Sequence, residues 1–293
     1  MKKRGSVTKN NEKKNGLWLT VAPLYIFTII FVVGPLLYMF VLSFCTRGEN
    51  YETILSFTLD NYKKIAEPVY QTTFLQSIKL AFSTTILVGI IGYPFGYFMA
   101  KLPSDKKKLM MALIMVPFWT SSLVRMYGWS ILLQSNGVLD KILMGLRITE
   151  KPLKLLYTYP AVLSGMVYAL LPFMILAVYS SAEKMDWSLV EAARDLGASA
   201  WKAFWTVTWK LTLPGFMSGI VLTFVPSMGL FFVADILGGN KVVLVGNVIQ
   251  EQLTKGRNWP FAAALSVILM IMTSLFIAVY RKVTGAKELE GLF

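Results

Sequence analysis

The chain has 293 residues, 55% of them hydrophobic, with a mean hydropathy of +0.57, which excludes an ordinary soluble domain. Its formal net charge of +13 is spread over the connectors between long apolar runs rather than gathered on one face, which argues against a nucleic-acid partner. It has no histidine and one cysteine, Cys45, so a His-based metal site, a histidine proton relay and an intramolecular disulfide are excluded.

Six apolar runs are candidate spans: about 17–44, 74–100, 109–133, 158–182, 215–237 and 261–280. Each reaches the ~20 residues that cross ~30 Å of hydrocarbon, and backbone groups that lipid cannot satisfy force such runs to be helical. The expectation is an all-α polytopic membrane protein whose single domain, 17–282, holds about six transmembrane helices. Residues 1–16 read as a basic tail lying against anionic lipid, and 283–293 as a second tail. The first run is too long for a signal-peptide core and no small-residue cleavage site follows it, so it is expected to be retained.

In the first run Pro35 should kink the helix, and residues 45–73, which contain the stretch FTLDNYKKI, should form a sizeable outer loop. The second run carries Gly89, Gly92 and Gly96, three and four residues apart, a spacing that suits close helix packing better than a functional site. Lys79, near its outer end, is expected to snorkel, and the basic turn KLPSDKKK follows. In the third run Pro117 breaks the backbone ladder. Phe118, Ser121, Ser122 and Arg125 fall on one helical face, with Trp119 and Tyr127 beside them. An arginine there must face protein, water or a partner charge, or else reach outward.

The fourth run is uncharged and LPF at 171–173 predicts a kink. The fifth holds the sole carboxylate of any span, Asp235, on one predicted face with Met228, Phe231 and Phe232. It reads either as a functional charge or as an interfacial residue near the end of its run. Trp259 and Pro260 open the sixth, an aromatic anchor.

Between the fourth and fifth runs lies a mostly polar island, EAARDLGASAWKAFWTVTWKLTLP, Glu191 to Pro214. Glu191, Ala192 and Ala193 favour a helix that Gly197 can end with a left-handed turn; Ser199 can cap a second helix carrying Trp201, Phe204, Trp205 and Trp209. Pro214 stands where the next run begins. The segment reads as a short helix-turn-helix at the membrane surface with a face free for a soluble partner, or as an ordinary loop.

With the N-terminus inside, the inner segments hold 17 Lys and Arg and the outer segments 10, Lys79 and Arg125 lying within spans. That bias puts both termini and the island on the cytoplasmic side.

Glu191, Ala192, Ala193, Gly197 and Pro214 resemble the EAA motif of ABC importer permeases, with Leu211 departing mildly from the Ile or Val usual before the Leu-Pro. FTLDNYKKI, VPFWTSSLVRMYGW (116–129), LLPFM (170–174), YSSAEKMD (179–186), MGLFFVADILGG (228–239) and VGNVI (245–249) resemble the spermidine/putrescine permeases of that family, over nearly all the chain beyond residue 20. The resemblance implies the MetI-like permease fold and a bacterial cytoplasmic (inner) membrane. It implies four kinds of partner: membrane lipid, a second permease of similar fold, a dimer of a separate ATPase that binds ATP and Mg, and an extracytoplasmic polyamine-binding protein. The segment 183–214 would then be the coupling element seated on the ATPase.

The chain has no G-x-x-x-x-G-K stretch, so ATP must be bound elsewhere, and no carboxylate pair or Ser-His-Asp set suggests an enzyme. A polycation with methylene spacers needs carboxylates and aromatic faces. Asp235, Phe231 and Phe232 offer part of such a station, Trp119 and Tyr127 a lining for the path, and Arg125 a structural charge. Permeases for another solute and ATPase-independent secondary transporters are the rival readings. The latter are disfavoured by the absence of mid-span carboxylates and inverted repeats.

Overall fold

The computed structural model describes residues 21–284. The tail expected at 1–16, and residues 285–293 of the other, lie outside them. In chain order the elements are helix α1 (Val21–Leu42), strands β1 (Thr46–Arg47) and β2 (Thr53–Ile54), α2 (Asp60–Ile65), α3 (Pro68–Ala100), α4 (Ser104–Met115), α5 (Ser122–Leu133), α6 (Val138–Gly145), α7 (Tyr159–Glu183), α8 (Ser188–Asp195), α9 (Ala200–Gly229), α10 (Phe231–Gly238), α11 (Val245–Thr254) and α12 (Trp259–Thr284). The two short strands pair antiparallel, Thr46 opposite Ile54.

Five helices, α1, α3, α7, α9 and α12, are long and apolar enough to cross a bilayer, and two bent pairs raise the count to as many as seven. The expected six falls within this range, but two of the runs are built differently from a straight span. The third run is broken. Pro117 has no N–H to give, so the chain passes through a 3-10 turn at Val116–Trp119 to extended backbone at Thr120, whose hydroxyl donates to the Pro117 carbonyl at 2.8 Å. The pieces on either side make an angle of 96°. The fifth run also divides. The chain leaves the helix at Leu230 (φ −78°, ψ 57°), so α9 ends at Gly229 and Asp235 belongs to the separate eight-residue α10.

The chain forms two compact units, residues through Ile65 with Gln252–Ile268, and Ala66–Glu251 with Leu269 onward. In the first, Asn61 of the DNY stretch donates both amide hydrogens to the carbonyls of Ser43 and Cys45, at 3.0 and 2.9 Å, satisfying backbone acceptors just beyond α1. The Tyr62 and Ser43 hydroxyls share a 2.7 Å hydrogen bond, and buried Cys45 packs with Leu42 and Ala263. Lys64 lies over the Phe261 ring.

The second unit is organised by α7, which packs against both α3 and α9. Side chains are missing where the helices meet. A Cβ on Gly92 would stand 2.8 Å from Met174 Cγ, one on Gly96 2.7 Å from the Ile175 carbonyl oxygen, and one on Gly215 2.5 Å from that of Ala177. The packing role expected of the α3 glycines is thus borne out. Small residues let backbones approach where lipid supplies no hydrophobic drive between helices. Buried Val88, Leu170, Met174 and Val178 fill the rest of this seam.

Two prolines expected to kink their helices do not interrupt them. Pro35 and Pro172 lie within helices that run on through them, Pro35 directly after a π turn at Ile29–Val33. At 33 and 30 residues, α3 and α9 are ~50 and ~45 Å long, well beyond the hydrocarbon thickness. Pro68 opens α3 at a position where its missing N–H costs nothing.

Candidate functional site

The polar island forms two helices joined by a tight turn. The glycine signal is satisfied in full: Gly197 has φ +86°, its N–H donates to the Arg194 carbonyl at 2.9 Å, and the Ala198 N–H reaches back to Ala193 at 3.0 Å. This is the Schellman closure, in which a left-handed residue ties off the last helical carbonyls. The Ser199 hydroxyl accepts from the Lys202 N–H at 3.3 Å, capping α9 as expected. Asp186 accepts from the Ser188 N–H ahead of α8; hydrogen bonds from the Ser188 hydroxyl and then its N–H hold the Asp186 carboxyl below its ordinary value.

Apolar side chains stand out at the tip of this projection. Leu196 is 89% exposed and Trp201 71%, with Leu189 also exposed. Glu191 and Ala192 are exposed beside them and Ala193 is half-buried. The second arm departs from the short helix expected: it runs without interruption into the span, as a single 30-residue helix. Pro214 therefore does not begin a separate span. It sits inside α9, ~20 Å along the axis from Ala200, away from the tip that Glu191, Ala192, Ala193 and Gly197 build.

Aromatic rings root the projection. Trp187, ahead of α8, lies 5.8 Å from Tyr97 on α3, while Phe204 and Trp209 of α9 lie 6.1 and 5.1 Å from Tyr93. The Lys101 ammonium stands over the Tyr97 and Trp187 rings at 4.4 and 5.2 Å. Lys107, following α3, pairs with Glu183 at the end of α7 at 2.8 Å.

The residues proposed for a polycation station are only partly brought together. Phe231, Phe232 and Asp235 share α10, the two rings edge-to-face at 6.4 Å. Met228 does not join them, because the break at Leu230 takes it off their helix and into a cluster with Ala81 and Phe224. The Asp235 side chain is exposed. Asn247 donates its amide to Asp235 Oδ1 and to the Phe231 carbonyl (3.0 Å), while its own Oδ1 receives the Leu244 N–H at 2.9 Å. Asp235 Oδ2 has no hydrogen-bond partner among the described residues, and Asn247 fixes the direction of the carboxylate through its other oxygen. Asn247 went unrecognised as a clamp; its one signal was its place in VGNVI.

Trp119 and Tyr127 are 85% and 59% exposed, and neither shares a hydrogen bond or ring contact with α10 among the described residues. Helix α5 meets α10 through its buried Met126 and Leu133, against Val233 and Leu237, which leaves Tyr127 turned away. Arg125 keeps the neighbours that a straight helix predicted, by another route. Its Nη2 donates to Ser122 Oγ at 3.0 Å, and the break in the run folds the Phe118 ring to 5.2 Å from the guanidinium. Tyr168 of α7, stacked on Trp129, lies 6.0 Å away. No carboxylate pairs with Arg125 among the described residues, and its buried Nε has no partner there. Tyr168 carried no local signal. Lys79 is exposed, with its ammonium 5.8 Å from the centre of the Tyr159 ring.

A set of membrane-crossing helices with an exposed two-helix projection continuous with one span is the architecture of a membrane transport subunit. The chain belongs to the family of binding-protein-dependent transport system inner membrane components, whose model matches residues 92–283, and it is a multi-pass membrane protein of that class. It is 44% identical, over 86% of its length and 92% of the relative's, to the spermidine/putrescine transport system permease protein PotB of Escherichia coli (strain K12). The fold is similar to that of a chain of a bacterial alginate ABC transporter, solved with its alginate pentasaccharide-bound periplasmic protein. The TM-score is 0.77 at 14% identity, covering 96% of this chain and 97% of that one. A chain of the inward-facing MetNI methionine ABC transporter aligns over 75% of this chain and 98% of its own with a TM-score of 0.57 at 16% identity. The MetI-like permease fold is thereby shown, and the relatives are transport permeases rather than enzymes.

Proposed function

We propose that the chain is the permease subunit of an ATP-driven, binding-protein-dependent importer of polyamines, spermidine or putrescine, working by alternating access. The observation that carries the ATP-driven part is the Gly197 turn with its exposed apolar tip, Leu196 and Trp201, a surface that water disfavours and a soluble partner would cover. Identity to relatives named for spermidine and putrescine supports the solute. So does Asp235, which the Asn247 clamp holds by one oxygen on the helix that carries Phe231 and Phe232. One carboxylate serves one ammonium, so most of the recognition falls to other subunits.

In this reading the partners are a PotC-like second permease, two PotA-like ATPase subunits that hold ATP and Mg, and a PotD-like extracytoplasmic binding protein. Residues 17–282 form the permease domain, with 183–214 as its coupling segment. The excess of Lys and Arg in alternate connectors supports cytoplasmic termini and a cytoplasmic projection. Closure of the ATPase dimer then moves Glu191, Ala192, Ala193 and Gly197 together, and the continuous α9, with Pro214 inside it, carries the movement into the bundle. Trp119 and Tyr127, both exposed aromatic faces, are assigned to the lining of the path.

The test is ATP hydrolysis and uptake by the complex in liposomes, with its binding protein, with and without spermidine. Spermidine-stimulated hydrolysis with uptake is expected. A complex that hydrolyses ATP and ignores polyamines would remove the solute, and a chain that binds no ATPase would remove the coupling reading.

A further inference from the structure

We infer that the π turn at Phe204–Thr208 and the buried Tyr93–Thr212 hydrogen bond form the joint that passes movement of the two-helix projection to α3, making Tyr93 and Thr212 positioning residues for coupling. This rests on the reading of the projection as the ATPase docking element.

The first observation is the register of α9. The Trp209 N–H donates to the Phe204 carbonyl, five residues back, so one extra residue is looped into the helix at this point. In a regular α-helix residues five apart point ~140° away from each other. The extra residue brings Phe204 and Trp209 back toward one side, where both rings meet Tyr93, at 6.1 and 5.1 Å. A π turn inside an α-helix is uncommon and gathers at functional positions. Here it gives the arm an aromatic grip on α3.

The second observation is polar. The Thr212 hydroxyl has one hydrogen and donates it to the Thr208 carbonyl at 2.8 Å, within its own helix. Its oxygen therefore accepts from the Tyr93 hydroxyl, 2.8 Å away, in a buried bond joining helices 119 residues apart in sequence. Thr208 is the last residue of the π turn, so the bond ties α3 to the irregular part of α9. The Thr208 hydroxyl in the same turn is buried without a partner among the described residues, which lowers the cost of leaving this arrangement.

Third, the projection holds α3 by both arms. Trp187 reaches Tyr97 from the start of the first helix, while Phe204 and Trp209 reach Tyr93 from the second. An apolar groove of about 360 Å³, lined by Gly89, Tyr93, Trp209 and Phe216 among others, opens beside the joint and gives the rings room to shift. Helix α9 already packs on α3, and the joint adds a directed hydrogen bond and ring contacts at the end nearest Gly197. The joint makes α3 follow.

The experiment compares wild type with Tyr93→Phe, Thr212→Val and the double variant, each assembled with the ATPase and second permease in liposomes with binding protein and spermidine. Tyr93→Phe keeps the ring and removes only the hydroxyl. Assembly and ATP hydrolysis should stay within about twofold of wild type. Uptake per ATP hydrolysed should fall about three- to tenfold in each single variant, and no further in the double, because one bond is lost in all three. Unchanged uptake per ATP would overturn the inference. Lost assembly, or hydrolysis and uptake falling in step, would reduce the joint to a structural contact and overturn it as well. A wild-type chain that assembles with no ATPase would instead remove the docking reading beneath it.

Discussion

Replacing Gly197 isolates one physical cost, because nothing lies within 4 Å of where its Cβ would stand. The substitution meets no neighbour, so the penalty is conformational alone. At φ +86° an L side chain pays ~1–2 kcal/mol, more if β-branched. That cost falls on the Schellman closure formed by the Gly197 and Ala198 N–H groups, and so on the ordered tip that presents Leu196. An energy of this size is a factor of about 5–30 in an equilibrium. Gly197→Val should therefore weaken ATPase binding to the detergent-solubilised permease by at least about fivefold, with uptake falling in parallel. Gly197→Asn should recover much of the loss, since asparagine tolerates the left-handed region. Titrating the ATPase onto purified permease variants reads both numbers. Binding by Gly197→Val equal to wild type would refute the assignment of the turn, and Asn as damaging as Val would show that the cost is not conformational.

Three further outcomes are expected. Asp235→Asn and Asn247→Leu should each raise the spermidine concentration for half-maximal uptake by roughly tenfold, the worth of ~1.4 kcal/mol, with assembly intact; wild-type uptake by both would leave Asp235 an interfacial residue. Gly96→Val puts a side chain against the Ile175 carbonyl and should destabilise the α3–α7 seam by ~1–3 kcal/mol, read as a lower thermal midpoint of the purified complex; an unchanged midpoint would mean that the seam can open to admit it. The lowered carboxyl of Asp186 makes its contribution to the start of α8 present above its ordinary value of 3.8 and lost only as pH falls through the lowered one. Asp186→Asn should therefore leave the uptake profile between pH 5 and 8 unchanged in shape, and an acid limb in that window abolished by the substitution would contradict this.

The parts of this fold that were legible beforehand are those in which one residue type answers to one backbone need. Gly197 was readable because a left-handed turn after a helix calls for glycine, and Ser199 because an N-terminus calls for a hydroxyl acceptor. Gly89, Gly92 and Gly96 were readable as a packing face since their spacing alone puts them on one side of a helix. Hydropathy, by contrast, reports that a stretch is apolar and says nothing of whether it is straight. It could not reveal that the fifth run stops at Leu230, because Gly229–Leu230 is as apolar as the residues around it. That break separates Met228 from Asp235, so a face computed from uninterrupted helical spacing joined residues that the fold keeps apart.

The joint at Tyr93 was invisible for a related reason. Its parts lie 119 residues apart in sequence, and no local pattern announces a π turn. The aromatic content of the second arm was plain, yet regular 3.6-residue spacing assigns Phe204 and Trp209 to different faces, and only the inserted residue unites them on Tyr93. The same reasoning bears on Pro214. In the sequence it stands where the fifth run begins. It lies inside α9 beyond the π turn, so it belongs to the span and marks no boundary with the arm. Bending between projection and bundle then has its irregular backbone at Phe204–Thr208, ahead of the proline, and that is where substitutions should separate ATP hydrolysis from uptake.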